Sequence, residues 1–327
     1  SNLTGFVDNY NKFEDWIELY NNGILDTNIG GFFLSDDPEE PMKWEFPEGT
    51  IIIGNRFLTV WCSGRDEHDQ NHYHSNFKLK QTKNNPDFVV LSDPNGNIIN
   101  TIEIQKTQLE HSMGRYPNAG DDWKIFIEPS LNAFNSGASY TRYAETPEFS
   151  IEAGFYTGAQ SLEISTDEPL SNIYYTTDGT KPNLGSSIYN EPIFLTNTQI
   201  IKALVLSNDP EVLPSYIGFN TYLVNENHSL PVISSAANQL TVMLNGNQAL
   251  RPHGTIEYFD ADGERKDFGY GEYNKHGQDS WAFPQRSFDY IARDEMGYHD
   301  AIHEKLLSLS DRNDFQRIII RASGDDN

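Results

Sequence analysis

Phe88-Val89-Val90-Leu91, then Asp93-Pro94-Asn95-Gly96-Asn97, then Ile98 to Ile104 read as two strands around a tight turn. Asn-Gly tolerates the positive φ that short hairpins demand, so the turn itself fixes an antiparallel pair. The same reading extends outward. Trp16 to Tyr20 (WIELY) and Phe57 to Cys62 (FLTVWC) alternate faces as strands do. Turn signals recur roughly every 8–12 residues through 1–135, the spacing of an all-β sandwich or barrel.

Asn135 to Glu145 is small, polar and rich in turn residues, and reads as a linker. A second β unit is expected over 146–226. Its clearest strands lie in SLEIST, NIYYTT and QIIKALVL, with Thr177-Asp178-Gly179-Thr180 as a turn. After Asn225-Glu226-Asn227-His228 the pattern changes, and 229–327 forms a third part. Thr255 to Phe259 and Ser287 to Ile291 read as strands, with Asp260-Ala261-Asp262-Gly263 as a turn. Tyr298 to Ser310 reads as a helix, with Ile302, Leu306 and Leu309 at i, i+4 and i+7. Phe315 to Ala322 closes as an apolar strand. The expected fold is mainly β: two immunoglobulin- or fibronectin-like β-sandwiches followed by a truncated α+β lobe.

The chain has 327 residues, too many for one ordinary domain, and carries 23 basic against 48 acidic side chains, a net charge of −25. Nucleic acid is excluded as the default partner, because its phosphates would be repelled. Aromatic content of 13% argues against disorder. The single cysteine, Cys62, rules out an internal disulfide framework and a zinc ribbon, and its strand setting suits a buried thiol better than a nucleophile. No run has the roughly 18–20 apolar residues of a membrane span, and no signal peptide is visible. Both ends read as cut, Ser1 lacking a preceding Met and Gly324-Asp325-Asp326-Asn327 following directly on a strand. The expectation is a piece of a longer protein.

The hydrolase, nucleotide-loop and zinc-protease motifs are absent, and 48 acids make paired carboxylates uninformative. Asp66, His68, Asp69, His72 and His74 form a local cluster. Imidazoles at 68, 72 and 74 can hold a transition metal with the acids in support. An exposed polar loop is the more ordinary setting for such residues. Asp93 to Asn97 offers oxygen ligands but lacks the distal Glu of an EF-hand loop.

The first region resembles the lamin-tail domain, an immunoglobulin-like sandwich. The resemblance is carried by Asp15 to Asn21, Leu34-Ser35-Asp36-Asp37, Lys43 to Thr50, His74 to Leu79 and Ser112 to Pro117, and covers nearly all of 5–135. It implies a module on a secreted or surface bacterial protein, serving to bind or to space. The family pattern includes His74.

The second region resembles the sandwich at the C-terminus of chitobiase and β-hexosaminidase enzymes. Pro147 to Ser150, Gly154-Phe155-Tyr156, Ile173 to Pro182, Ser187-Ile188-Tyr189 and Ile201-Lys202-Ala203 carry it. It implies a non-catalytic module. Tyr174 and Tyr175 can stack on a sugar, but as strand neighbours they face opposite sides, one toward the core.

The third region resembles the start of the spore-coat protein H family of atypical secreted kinases. The residues are Leu230 to Ser234, Ile256 to Gly263, His276 to Ser280, Pro284 to Phe288 and Ile319 to Asn327. The resemblance implies that Gly277, Ser280 and Arg286 lie near nucleotide phosphates, with ATP and Mg²⁺ as cofactors of a full-length parent. Arg286 stands where lysine is more usual and Trp281 where arginine is common. The family's metal-holding acids lie beyond Asn327, so no catalytic residue is expected in this piece. The expected partner is an extracellular polymer or protein, and the expected setting is secreted or at the bacterial cell surface.

Overall fold

Alternating strands that bury one face need a second layer to cover it, and the chain meets that need twice. The computed structural model describes residues 1–69, 71–82, 87–278, 281, 286–306 and 310–321. It divides into two compact units, Ser1–Thr141 with Asp294–Gly297, and Arg142–Arg293 with Tyr298–Asn327.

The first unit is built on two four-stranded sheets. One has the order β1 (Trp16–Tyr20), β4 (Phe57–Trp61), β6 (Tyr73–His74), β5 (Glu67–His68). The other has the order β8 (Ile98–Glu103), β7 (Phe88–Ser92), β2 (Phe33–Ser35), β3 (Trp44–Glu45). Ile17, Leu58 and Val60 from the first sheet meet Leu34 and Trp44 from the second, with Phe46 and Cys62, in one buried core. A third sheet of β9 (Ser112–Arg115), β10 (Trp123–Phe126) and β11 (Ser139–Tyr140) follows. The expected hairpin is present, with Gly96 at φ 80° in the turn that joins β7 to β8. That positive φ is the reason a glycine stands there.

The second unit has two five-stranded sheets. The first runs β12 (Gly154–Tyr156), β16 (Gly218–Val224), β15 (Gln199–Ser207), β13 (Ser171–Thr176), β14 (Ser187–Ile188). Its inner face contributes Ile173, Ile201, Ala203, Val205, Tyr222 and Val224 to a core completed by Leu162, Ile164 and Leu195. The second sheet is antiparallel and consecutive: β17 (Val232–Ala237), β18 (His253–Phe259), β19 (Arg265–Lys275), β20 (Phe288–Ala292), β21 (Arg317–Ile320).

Strand β16 is buried almost throughout because both of its faces are covered. Tyr222 and Val224 point into the sandwich core. On the opposite face, Leu223 packs with Phe259, Phe219 meets Phe268 edge-on at 5.6 Å, and Thr221 hydrogen-bonds Glu257. Arg265 donates to Asn220 Oδ1 at 2.7 Å and to Glu257 at 2.9 Å, and Tyr298 Oη accepts the Ile217 amide at 2.8 Å. The two sheets therefore share a packed wall.

The expected helix over Tyr298–Ser310 is not formed among its described residues, 298–306 and 310. Ile302 instead makes an antiparallel bridge to Phe315, with paired amide–carbonyl bonds of 3.0 and 2.9 Å. Tyr298 stacks on Tyr270 at 4.9 Å, so tertiary contacts satisfy the apolar residues that suggested a helical stripe. Leu309 lies outside the described residues. The third region is thus a β-sheet rather than an α+β lobe. The α-helix among the described residues is α1, Leu240–Leu244, whose Leu240 and Met243 cover one face of that sheet with Ile256, Tyr273 and Tyr290.

Candidate functional site

The histidines of the first unit are placed by two short strands. His74 is second in β6 and only 1% exposed. Its Nδ1 lies 3.0 Å from Ser63 Oγ and its Nε2 2.7 Å from Asn9 Oδ1, so both ring nitrogens are engaged. Burial lowers its pKa. His68 sits exposed on β5 opposite Tyr73. His72 Nδ1 lies 3.0 Å from both carboxylate oxygens of Asp69. The Asn71 amide and His72 hold the Asp69 carboxyl down at about 2. The structure does not bring the three imidazoles together, and among the described residues no three potential ligands converge on a metal position. Asp93 is likewise occupied: its carboxylate accepts the amides of Asn95 and Asn97 and the Asn97 side chain. That is a turn-forming aspartate.

In the third region, Gly277 follows β19 with φ 70°. Arg286 places its guanidinium 5.2 Å from the Trp281 ring centroid, and Lys275 Nζ is 5.5 Å from the same ring. Trp281 is a core residue whose Nε1 donates to the carbonyls of His276 and Ser287, each at 2.9 Å. Ser280 lies outside the described residues. Asp289 is fully buried, paired with Arg317 and with His276 Nδ1 at 2.9 Å. Tyr175 packs on the sandwich core and meets Tyr189 at 6.3 Å, while Tyr174 is half-buried.

A cavity in the first unit lies along two of the stretches that carry the lamin-tail resemblance, away from the histidine cluster. It holds about 650 Å³ and is lined by Asp15 through Asn22, by Ile99, Asn100 and Ile102 through Gln105, and by Ser112 through Arg115. Successive residues of a strand point to opposite faces, so a cavity touching every residue of β1 must run along the edge of the strand. β1, β8 and β9 are each terminal in their sheets, and all three edges converge here. The floor is the partly open sandwich interior, with Ile17, Leu19, Phe32, Val89, Leu91 and Ile102. Asp15, Glu18 and Glu103 supply acid at the rim, with Lys80 and Arg115. Burial pushes the Asp15 carboxyl up to about 6, against the amino terminus 3.9 Å away. Glu18 is raised by burial too, although it accepts the Asn132 amide and Thr59 Oγ1. Trp123 carries the Arg115 guanidinium at 5.0 Å, and Trp16 meets Phe6 and Trp61 edge-on.

Residues 4–106 match the Lamin Tail Domain family. Residues 151–211 match the chitobiase/β-hexosaminidase C-terminal domain family. A curated endoglucanase from Clostridium saccharobutylicum is 34% identical over 62 residues, which is 19% of this chain and 13% of that protein. The chain thus spans well under two thirds of that relative's length. No helix among the described residues is long and apolar enough to cross a membrane.

Proposed function

We propose that this chain belongs to a secreted or surface bacterial protein, in which the β-sandwich modules bind or position an extracellular polymer or protein and do no chemistry. The observation that supports this most is the cavity along β1, β8 and β9: it has ligand dimensions, and an apolar floor beneath a lining rich in polar and charged side chains. The two matched families and the endoglucanase are named for carbohydrate enzymes or for a tail module, and the sandwiches suit appended parts of such proteins. A glycan, cell-wall and extracellular-protein array probed with the chain tests the reading. Saturable binding to one class is expected, and uniformly blank spots overturn it.

A second reading is a parent that acts as an extracellular protein kinase of the spore-coat protein H type, using ATP and Mg²⁺. It is favoured by Gly277, which turns two residues after Lys275, and by Lys275 and Arg286 set as two cations on one indole. Cations beside a glycine turn suit phosphates. Mg²⁺ needs oxygen donors, and the described residues gather no acid group that fits it there, Asp289 being tied to Arg317 and His276. No phosphoryl-transfer step follows from these residues. Mg²⁺-dependent ATP consumption by a chain extended past Asn327 tests the reading, with Arg286→Ala expected to reduce it; a silent variant and no nucleotide binding sink it.

A further inference from the structure

We infer that the cavity along β1, β8 and β9 takes an extended polypeptide strand with alternating apolar residues and basic flanks, held by main-chain hydrogen bonds to these edges. The inference rests on the binding role proposed above and names its ligand class.

Edge strands present a row of main-chain N–H and C=O groups, which is the template that strand addition uses. Natural edges are usually guarded by Lys, Pro or a bulge, or are covered. β1 (Trp-Ile-Glu-Leu-Tyr) and β8 (Ile-Ile-Asn-Thr-Ile-Glu) contain neither Lys nor Pro. β8 has one register shift, between Ile98 and Asn100 at the Ile99 end of the cavity, and is regular from Asn100 to Glu103. Ile98 and Ile99 remain 46% and 54% exposed beside it.

Side chains of an added strand would alternate as those of β1 do. One set would enter the floor of Ile17, Leu19, Val89, Leu91 and Ile102, and the other would face outward. The floor is half-buried and apolar, so it rewards Val, Ile or Leu there.

A sugar chain fits less well. Sugar rings stack on a free aromatic face; of the lining aromatics, Trp123 carries Arg115, Trp16 meets Phe6 and Trp61 edge-on, and Tyr20 and Phe57 stack on each other with Phe134 edge-on to both. Charge selects the flanks. Along the lining, Asp15, Glu18, Glu103 and Asp294 outnumber Lys80, Arg115 and the Ser1 amino terminus, in a chain of net charge −25, and favour cationic neighbours while opposing anionic ones.

The test is calorimetric titration with a synthetic peptide of about 10 residues, alternating valine and threonine between pairs of lysines, a length that matches ordinary strands. Expected are saturable binding, roughly tenfold or greater weakening when glutamates replace the lysines, and loss of binding when a central proline removes the strand's donor. Ile102→Lys should weaken the lysine-flanked peptide at least about tenfold by filling the floor. Glu103→Lys, at an exposed rim position that leaves the fold intact by circular dichroism, should weaken it several-fold. Absence of saturable binding, equal binding of the proline peptide, or indifference to Glu103→Lys overturns the strand assignment. Oligosaccharide binding abolished by Ile102→Lys overturns it as well, yet leaves the binding role standing. Blank arrays in addition to no peptide binding remove both.

Discussion

Lys202 shows how a single buried charge ties the second unit to pH. It is 1% exposed, its Nζ donates to the Ala236 carbonyl at 2.9 Å, and burial lowers its pKa to about 7 against the pull of Glu257 and Asp178. Its folded pKa lies below the ordinary 10.5, so the unfolded chain binds more protons between those values and stability rises as pH climbs from about 7 to 10.5. The gain across that window is on the order of a few kcal/mol. Lys202→Met should flatten it, as read from urea unfolding at stepped pH. Asp15 has the opposite sign. Its carboxyl is raised to about 6, so its favourable contribution is full below about pH 4 and is lost as pH rises through 6. Asp15→Asn should therefore be more stable than the parent by about 1–3 kcal/mol above pH 7, with the difference vanishing below pH 4. Cys62, 1% exposed with a thiol pushed well up by burial, is the inert core residue its strand setting implied. The histidines were different. Spacing in the chain placed them close together, but only the fold could show that His74 turns inward while His68 stays outside.

At the scale of elements, alternation and turn chemistry are local, and they were legible. Trp16–Tyr20 and Phe57–Trp61 are strands where face alternation says so, and Phe88–Ser92 is one beside the turn that predicts it. Tyr298–Ser310 was misread because helical spacing of apolar residues also arises when a looping chain drops side chains onto a sheet one by one. The cavity was not legible either. Which strand ends a sheet depends on pairings between residues far apart, such as Trp16 with Trp61, and no local pattern records them. β16 yields a prediction at this scale. Its outer face relies on Leu223 against Phe259, so Phe259→Ala should cost about 3–5 kcal/mol, the range for a buried aromatic. Chemical denaturation should show that loss in a single transition of the second unit, whereas separate loss of one sheet would contradict the shared wall.

For the whole molecule, the arithmetic of charge reappears as a stability term. With a net charge of −25, like charges repel most at low ionic strength. Raising salt from about 10 to 200 mM shortens the Debye length from about 30 Å to under 10 Å and should raise the thermal midpoint by several degrees. A midpoint that stays fixed or falls would show that attractive pairs outweigh the excess. β16 bears on the history of the chain as well. The stretch matching the chitobiase/β-hexosaminidase C-terminal family ends at residue 211, before this strand begins at Gly218. The matched stretch therefore stops short of the strand keyed to the neighbouring sheet through Phe219, Thr221 and Leu223. Recombination that moved residues 146–226 alone into another gene would transplant a wall with one side bare. Moved as one block, the sandwich and its sheet would keep both faces of β16 covered.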